Sequence, residues 1–307
     1  MAAYKFHVFQ PGQPAINADT RFCAVYGLPI RHSASPAMHN AAFAALGLNW
    51  RYLAFEVHPD DLRAAIEGAR VMGFAGLNLT VPHKLLALGL VDALDKSARK
   101  WGAVNTIRFE SAGVDGRAKI RAVGFNTDAD AVAAALREDL KLELRGARVL
   151  LLGAGGAGRT AALKFAAEKV TELFLVNRTQ SKARAVAAEI KRQFPSQRVT
   201  VGYPGSGVDL LINATSLGLK PDDRLPLNKK QFPLEQARAV YDMIYRPAET
   251  ALLKAARKAG CQTANGLGML LHQGAKAFEI WTGKPAPLGV MRRALEADVY
   301  QSTVHTP

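Results

Sequence analysis

Residues 148–158 read Arg148-Val-Leu-Leu-Leu-Gly153-Ala154-Gly155-Gly156-Ala157-Gly158, an apolar run followed by three spaced glycines and then a helix-like segment from Arg159 to Glu168. In a strand, tight turn and helix of this kind, the first glycine makes the turn and the second lets the backbone approach a pyrophosphate. The third lets the helix pack on the strand, and the helix N-terminus faces the phosphates. A second apolar run, Glu172-Leu-Phe-Leu-Val176, leads into Asn177-Arg178-Thr179. Where an NAD site carries an acid for the ribose 2'-hydroxyl, this chain has Arg178, with Lys182 and Arg184 behind it. A guanidinium there suits a 2'-phosphate. The stretch predicts a dinucleotide-binding α/β fold that takes NADP.

Working outward, strand-like runs at Val149, Phe174, Val199, Leu210 and Val240 alternate with helical patterns at 158–168, 182–194 and 250–259. Upstream, strand-like runs at 21–26, 50–57 and 74–79 alternate with helical ones at 36–46 and 59–72. Helical periodicity resumes over 81–94, and 103–109 with 119–123 read as a hairpin joined through Ser111–Gly116. Alternation of this kind implies a second α/β domain with a mainly parallel sheet. The alanine-rich segment 128–142 reads as the connecting helix. The last helical patterns, 268–282 and 289–300, have no strands left to pair with and are expected to pack back on the first domain. The first ~18 residues and the tail from Gln301 read as poorly ordered.

The 307 residues allow two domains of ordinary size, and 49% hydrophobic with 21% charged residues is a globular composition. No apolar run reaches the ~18 residues of a membrane span, and the N-terminus lacks the pattern of a secretion signal. Two cysteines, Cys23 and Cys261, lie outside any CxxC spacing and fit a reducing, cytoplasmic compartment. The net charge of +14 comes from basic residues placed singly or in pairs, without the clusters a nucleic-acid surface needs. Such a surface favours the approach of anionic ligands.

Four polar clusters sit where strands give way to helices, which is where open α/β sheets bind ligands. In Gly27-Leu-Pro-Ile-Arg-His-Ser33-Ala-Ser35-Pro36, two hydroxyls just before a helix can address one carboxylate, although Ser35 read alone is an N-cap. In Leu77-Asn-Leu-Thr80-Val-Pro82-His83-Lys84, a lysine falls in the first turn of the expected helix, where the macrodipole disfavours a cation and catalysis would supply a reason for it. Read alone, Lys84 is as well explained as a surface lysine. The other two clusters are Gly102-Ala-Val-Asn105-Thr106 and Gly124-Phe-Asn126-Thr127-Asp128, the last also a plausible cap for the connecting helix. Asn213-Ala-Thr215-Ser216 follows a strand as a cofactor-lining loop would, and Gln273 stands on an otherwise packing helix.

The segments GLPIRHSASPAMHN, NLTVPHK, GAVNTI, GFNTD, GAGGAG, NRT, NATSLG, YDMIY and HQGAKAFEIWTG resemble the shikimate dehydrogenase family, in family order from Phe22 to Met291. The resemblance implies reversible NADPH-dependent reduction of 3-dehydroshikimate to shikimate, without a metal, in chorismate and aromatic amino-acid biosynthesis. It implies that Ser33, Ser35 and Tyr245 hold the substrate carboxylate and that Thr80, Asn105 and Gln273 hold ring hydroxyls. Lys84 and Asp128 would be the catalytic pair. The pyrophosphate would fall to Gly153, Ala154, Gly155, Gly156, Ala157 and Gly158, and the 2'-phosphate to Asn177, Arg178 and Thr179 with Lys182. Thr215, Met243 and Gly266 would border the nicotinamide. It also implies a discontinuous substrate domain, residues 1–127 with 266–307, around a dinucleotide domain of 128–265, with a cleft that closes between them.

The departures are His83, where the family usually has an aromatic residue, Leu79, where valine is common, and a longer N-terminus. His83 reads as a solvated histidine at the start of a helix. A free lysine is protonated at neutral pH, which suits ketone reduction, so alcohol oxidation is expected to accelerate between about pH 7 and about pH 9. The alternatives are a quinate/shikimate dehydrogenase of broader specificity and a catalytically silent NADP-binding sensor. The expected partners are small molecules, with no nucleic acid and no membrane, for a chain that is either a homodimer or a monomer.

Overall fold

The computed structural model describes residues 14–112 and 119–300. In chain order its strands are β1 (Arg21–Gly27), β2 (Trp50–Glu56), β3 (Gly76–Leu79), β4 (Ala93–Leu94), β5 (Thr106–Ala112) and β6 (Lys119–Phe125). They continue with β7 (Arg148–Leu152), β8 (Glu172–Val176), β9 (Arg198–Val201), β10 (Val208–Asn213), β11 (Ala237–Asp242) and β12 (Gln262–Asn265). The helices are α1 (Ser35–Ala45), α2 (Leu62–Val71), α3 (Lys96–Trp101), α4 (Asp128–Leu140), α5 (Gly156–Ala167), α6 (Gln180–Gln193), α7 (Ala251–Lys258), α8 (Leu267–Thr282) and α9 (Leu288–Tyr300).

The apolar run Arg148–Leu152 is buried from Val149 onward because it lies at the centre of a sheet ordered β12-β11-β10-β7-β8-β9. Every pairing in that sheet is parallel. The order is that of a doubly wound dinucleotide fold, and its switch point lies between β7 and β10. Apolar clusters cover both faces: α4, α5 and α6 on one, and Phe232, Leu252 and Leu253 on the other.

The first sheet is ordered β2-β1-β3-β5-β6-β4. Its β1, β2 and β3 are parallel, whereas β5 runs antiparallel to both β3 and β6. The two final helices pack on this sheet: Leu271, Phe278, Trp281, Met291 and Leu295 join Cys23, Met38, Phe43 and Tyr52 in one buried cluster. Trp281 Nε1 donates to the Ile107 carbonyl at 2.9 Å, tying α8 to β5.

Three expectations need correction. The segment 81–94 is not an α-helix; it is a run of turns with a short 3-10 segment at Leu86–Gly89, ending in β4. Pro82 disfavours helical backbone at Val81, and the Val81-Pro82 bond is cis. Strand β12 is not expected from sequence, because the polar, half-exposed Gln262-Thr-Ala-Asn265 carries no apolar alternation; parallel pairing with β11 makes it a strand. Ser35 does not cap α1: it is the first helical residue, and Ala34 stands at the cap position without a side-chain bond. The turn Ser111–Gly116 extends beyond the described residues, and the opening residues 1–13 and the tail from Gln301 lie outside them. Among the described residues, no helix is long and apolar enough to cross a membrane.

Candidate active site

The chain leaves β1, β3 and β6 and enters β5 at one end of the first sheet, and the side chains set there converge. Lys84 Nζ donates to Asp128 Oδ2 at 2.7 Å, with both side chains largely withdrawn from solvent. A buried carboxylate is costly unless paired, and Asp128 is satisfied on both oxygens, since Asn105 Nδ2 donates to its Oδ1 at 3.0 Å. The same Asn105 accepts the Thr127 amide at 2.8 Å, so one side chain fixes the start of α4. Asn126 caps that helix through the Ala129 amide at 3.2 Å. Thr80 and Gln273 border the pair, and Gln273 Oε1 is 3.5 Å from Asn105 Nδ2.

Because 81–94 is not helical, the macrodipole gives no reason to single out Lys84; its contact with Asp128 does. His83, expected to be solvated, is fully buried, and burial lowers its pKa below the ordinary histidine value. The turn after Pro82 folds its ring inward, while its carbonyl accepts the Ala87 amide at 3.0 Å.

At the other end of the cleft, Ser33 Oγ accepts the Ser35 amide at 3.3 Å, and the Tyr245 phenol meets the Ser33 hydroxyl and the Ala34 backbone. Burial raises the pKa of that phenol. Arg246 ties this end together, donating to the His32 carbonyl at 3.0 Å and to Asp298 Oδ2 on α9 at 2.7 Å. Lys84, Asp128, Ser33, Ser35, Thr80, Tyr245 and Gln273 line a single cleft. Ala157, Met243 and Gly266 line it from the second sheet.

On that side Gly153 has φ +107°, and a Cβ there would lie 2.8 Å from the Ala214 carbonyl oxygen. A Cβ on Gly158 would lie 2.3 Å from the Gly153 carbonyl oxygen, so helix and strand pack at glycine distance. A Cβ on Gly155 or Gly156 would meet nothing within 4 Å, and this open backbone at the start of α5 fits a pyrophosphate. Asn177 braces the turn: its Oδ1 accepts the Ala154 amide at 3.1 Å and its Nδ2 donates to the Thr179 carbonyl at 2.9 Å. Arg178, Thr179 and Lys182 are exposed at the end of β8 and the start of α6, a donor set that fits a phosphate monoester. Thr215 turns back on Asn213 Oδ1 at 2.7 Å. Asn213 in turn donates to Asp242 at 2.9 Å, and burial pushes that carboxyl up to about 6. A Cβ on Gly266 would lie 2.1 Å from the Met243 carbonyl oxygen, so the two segments bordering the cleft are in direct contact.

Residues 25–107 match the profile of the shikimate dehydrogenase substrate binding domain, 135–215 that of shikimate / quinate 5-dehydrogenase, and 266–296 that of the shikimate 5'-dehydrogenase C-terminal domain. The NADP(+) shikimate dehydrogenase of Methanopyrus kandleri is 42% identical over 288 residues, covering 92% of this chain and 97% of that protein. The chain belongs to the shikimate dehydrogenase family. A crystal structure of a shikimate dehydrogenase in complex with NADP+ superposes with a TM-score of 0.83 at 39% identity, covering 94% of this chain and 99% of the other. The Thermus thermophilus enzyme in complex with NADP(H) and shikimate gives 0.76 at 36%, covering 91% and 99%. The α/β fold with two parallel-rich sheets is that of the family.

The sequence carries no assignment for Asn78, which lines the cleft, or for Tyr52 and Arg246, which do not. Asn78 sits inside the quoted Leu77–Lys84 motif, and its position among apolar strand residues was the available signal. Tyr52 carries none in sequence, because its polar contacts come from other strands.

Proposed function

We propose that this chain catalyses the reversible, NADPH-dependent reduction of 3-dehydroshikimate to shikimate in the cytoplasm, as a step of chorismate and aromatic amino-acid biosynthesis. The observation that carries the reading is the Lys84–Asp128 pair in a cleft shared with Ala157 of the glycine-rich turn and with Met243 and Gly266. Residues 1–127 with 266–307 form the substrate side and 128–265 the dinucleotide side.

NADPH, when bound, supplies the hydride. Ser33, Ser35 and Tyr245 hold the substrate carboxylate, while Thr80, Asn105 and Gln273 hold ring hydroxyls. Lys84 Nζ delivers a proton to the oxygen that gains charge during reduction and takes it back during oxidation. Asp128 keeps the ammonium aimed, and Asn105 fixes Asp128. Arg178, with Asn177, Thr179 and Lys182, receives the 2'-phosphate. Two buried thiols outside any disulfide, Cys23 and Cys261, support a reducing compartment.

The test is the rate of dinucleotide reduction when shikimate or quinate is offered with NADP+ or NAD+. Fast turnover of shikimate with NADP+ alone is expected. Comparable quinate rates would move the chain to a broader quinate/shikimate enzyme, and no turnover in any combination would overturn the reading.

A further inference from the structure

Tyr52 is buried on β2, with 1% of its surface exposed, and it does not line the cleft. Along β1, Tyr52 stands opposite Cys23 and Asn78 stands opposite Val25 on the other side, so the tyrosine reaches Asn78 diagonally across the central strand. Its hydroxyl donates to Asn78 Oδ1 at 2.7 Å. Asn78 spends its amide nitrogen on Thr106 Oγ1 at 3.0 Å and on the Asn105 carbonyl at 3.2 Å. Those contacts fix which end of the Asn78 amide is the acceptor, and therefore which way the Tyr52 proton points. The phenol oxygen is left to accept, and the Ser35 side chain is the neighbour placed to donate to it.

The ring is held independently of these bonds. Asn40 clamps the Tyr52 backbone with two hydrogen bonds of 2.9 Å, and His39 stacks on the ring at 4.3 Å between centroids. A phenylalanine would fill the same space, yet the chain buries a hydroxyl that must be satisfied. That hydroxyl joins Ser35 at one end of the cleft to Asn78, Asn105 and Asp128 at the other. Ser35, Asn78, Asn105, Thr106 and Asp128 are each at most 5% exposed, so the connection runs along the floor of the cleft, largely out of water.

We propose that Tyr52 is a positioning residue for the substrate: its hydroxyl fixes the Ser35 oxygen at the carboxylate end and the Asn78 amide that supports Asn105 and Asp128 at the other. The inference rests on the proposed function. It separates the two sides of the site, since the Tyr52 hydroxyl reaches Asn78 and Ser35 on the substrate side and no group assigned to the dinucleotide.

The experiment compares Tyr52→Phe, Ser35→Ala and the double variant with the unmodified chain. Shikimate affinity is measured by calorimetry without dinucleotide, turnover by NADP+ reduction, NADP+ affinity by titration and folding by the thermal midpoint. Tyr52→Phe should lower kcat/KM for shikimate roughly tenfold, the range of one or two lost hydrogen bonds. NADP+ affinity should be unchanged, and the midpoint should fall only by what one unpaired Asn78 carbonyl oxygen costs. In the Ser35→Ala background, the effect of Tyr52→Phe on shikimate affinity should shrink, because the shared contact is already gone. Unchanged shikimate parameters, fully additive effects on affinity, or an equal loss of shikimate and NADP+ binding with a collapsed midpoint would each overturn the role of Tyr52. An unmodified chain that neither binds nor oxidises shikimate would overturn the functional reading and this inference with it.

Discussion

Arg159, directly after the glycine-rich turn, donates from Nη1 to the Trp101 carbonyl at 2.7 Å, so the helix that begins at that turn is bonded to the end of α3 beside the first sheet. Its Nε donates to Glu189 Oε2 at 2.8 Å, and a second nitrogen pairs with Glu189 Oε1. Gly102, in the left-handed region at φ +58°, leaves room for the guanidinium, which would lie 2.6 Å from a Cβ there. Removing the arginine takes a donor from the Trp101 and Gly102 carbonyls and leaves a mostly buried Glu189 carboxylate with Gln193 as its remaining partner. Arg159→Met is therefore expected to cost about 2 kcal/mol, read as a lowered urea midpoint. Glu189→Gln, which keeps a partner for the guanidinium, should cost less. An unchanged midpoint for Arg159→Met would show that the tie contributes nothing.

Acid sensitivity has an identifiable source in His39. The ring is fully buried between Tyr52, Phe43 and Trp281, neither nitrogen has a partner among the described residues, and burial pushes its pKa down to about 3. The unfolded chain protonates it near 6.5. Its contribution is thus complete above that pH and is lost as pH falls toward 3, by up to about 4–5 kcal/mol. Denaturation midpoints measured from neutral pH downward should fall steeply, and His39→Leu should flatten the slope. An equally steep fall in the variant would place the acid sensitivity in the carboxylates instead.

Cofactor choice is assigned to Arg178. Arg178→Ala should reduce the NADP+ over NAD+ preference by tenfold or more, about the worth of a charge-assisted phosphate contact, with NAD+ turnover preserved. The ratio of kcat/KM for the two dinucleotides reads this directly. An unchanged ratio would move the selection to Lys182 or Arg184.

Legibility in the sequence followed the range of the interactions. The strand, glycine turn and helix at 148–167 could be read because their signals are local: an apolar run, then Gly153 and Gly158 at positions where a Cβ collides with backbone. The hydroxyls and amides at 33–35, 80 and 126–128 were visible because they punctuate apolar runs. What sequence could not show was how they connect. Tyr52 reaches Asn78 only once β1 lies between β2 and β3, and Asn78 reaches Thr106 only once β5 pairs beside β3. The segment 81–94 misled because apolar spacing alone suits a helix, while Pro82 imposes a turn. Strand β12 escaped because edge pairing, rather than hydrophobicity, makes it a strand.

The pairing of Lys84 with Asp128 is the centre of the account, and the direct measurement is NADPH consumption with 3-dehydroshikimate by the unmodified chain and by Lys84→Ala, alongside NADPH binding by each. Loss of proton transfer should lower turnover by about a hundredfold or more while binding stays within a few fold. A variant that turns over at close to the parent rate, or loses turnover only in step with NADPH binding, would contradict the role given to Lys84.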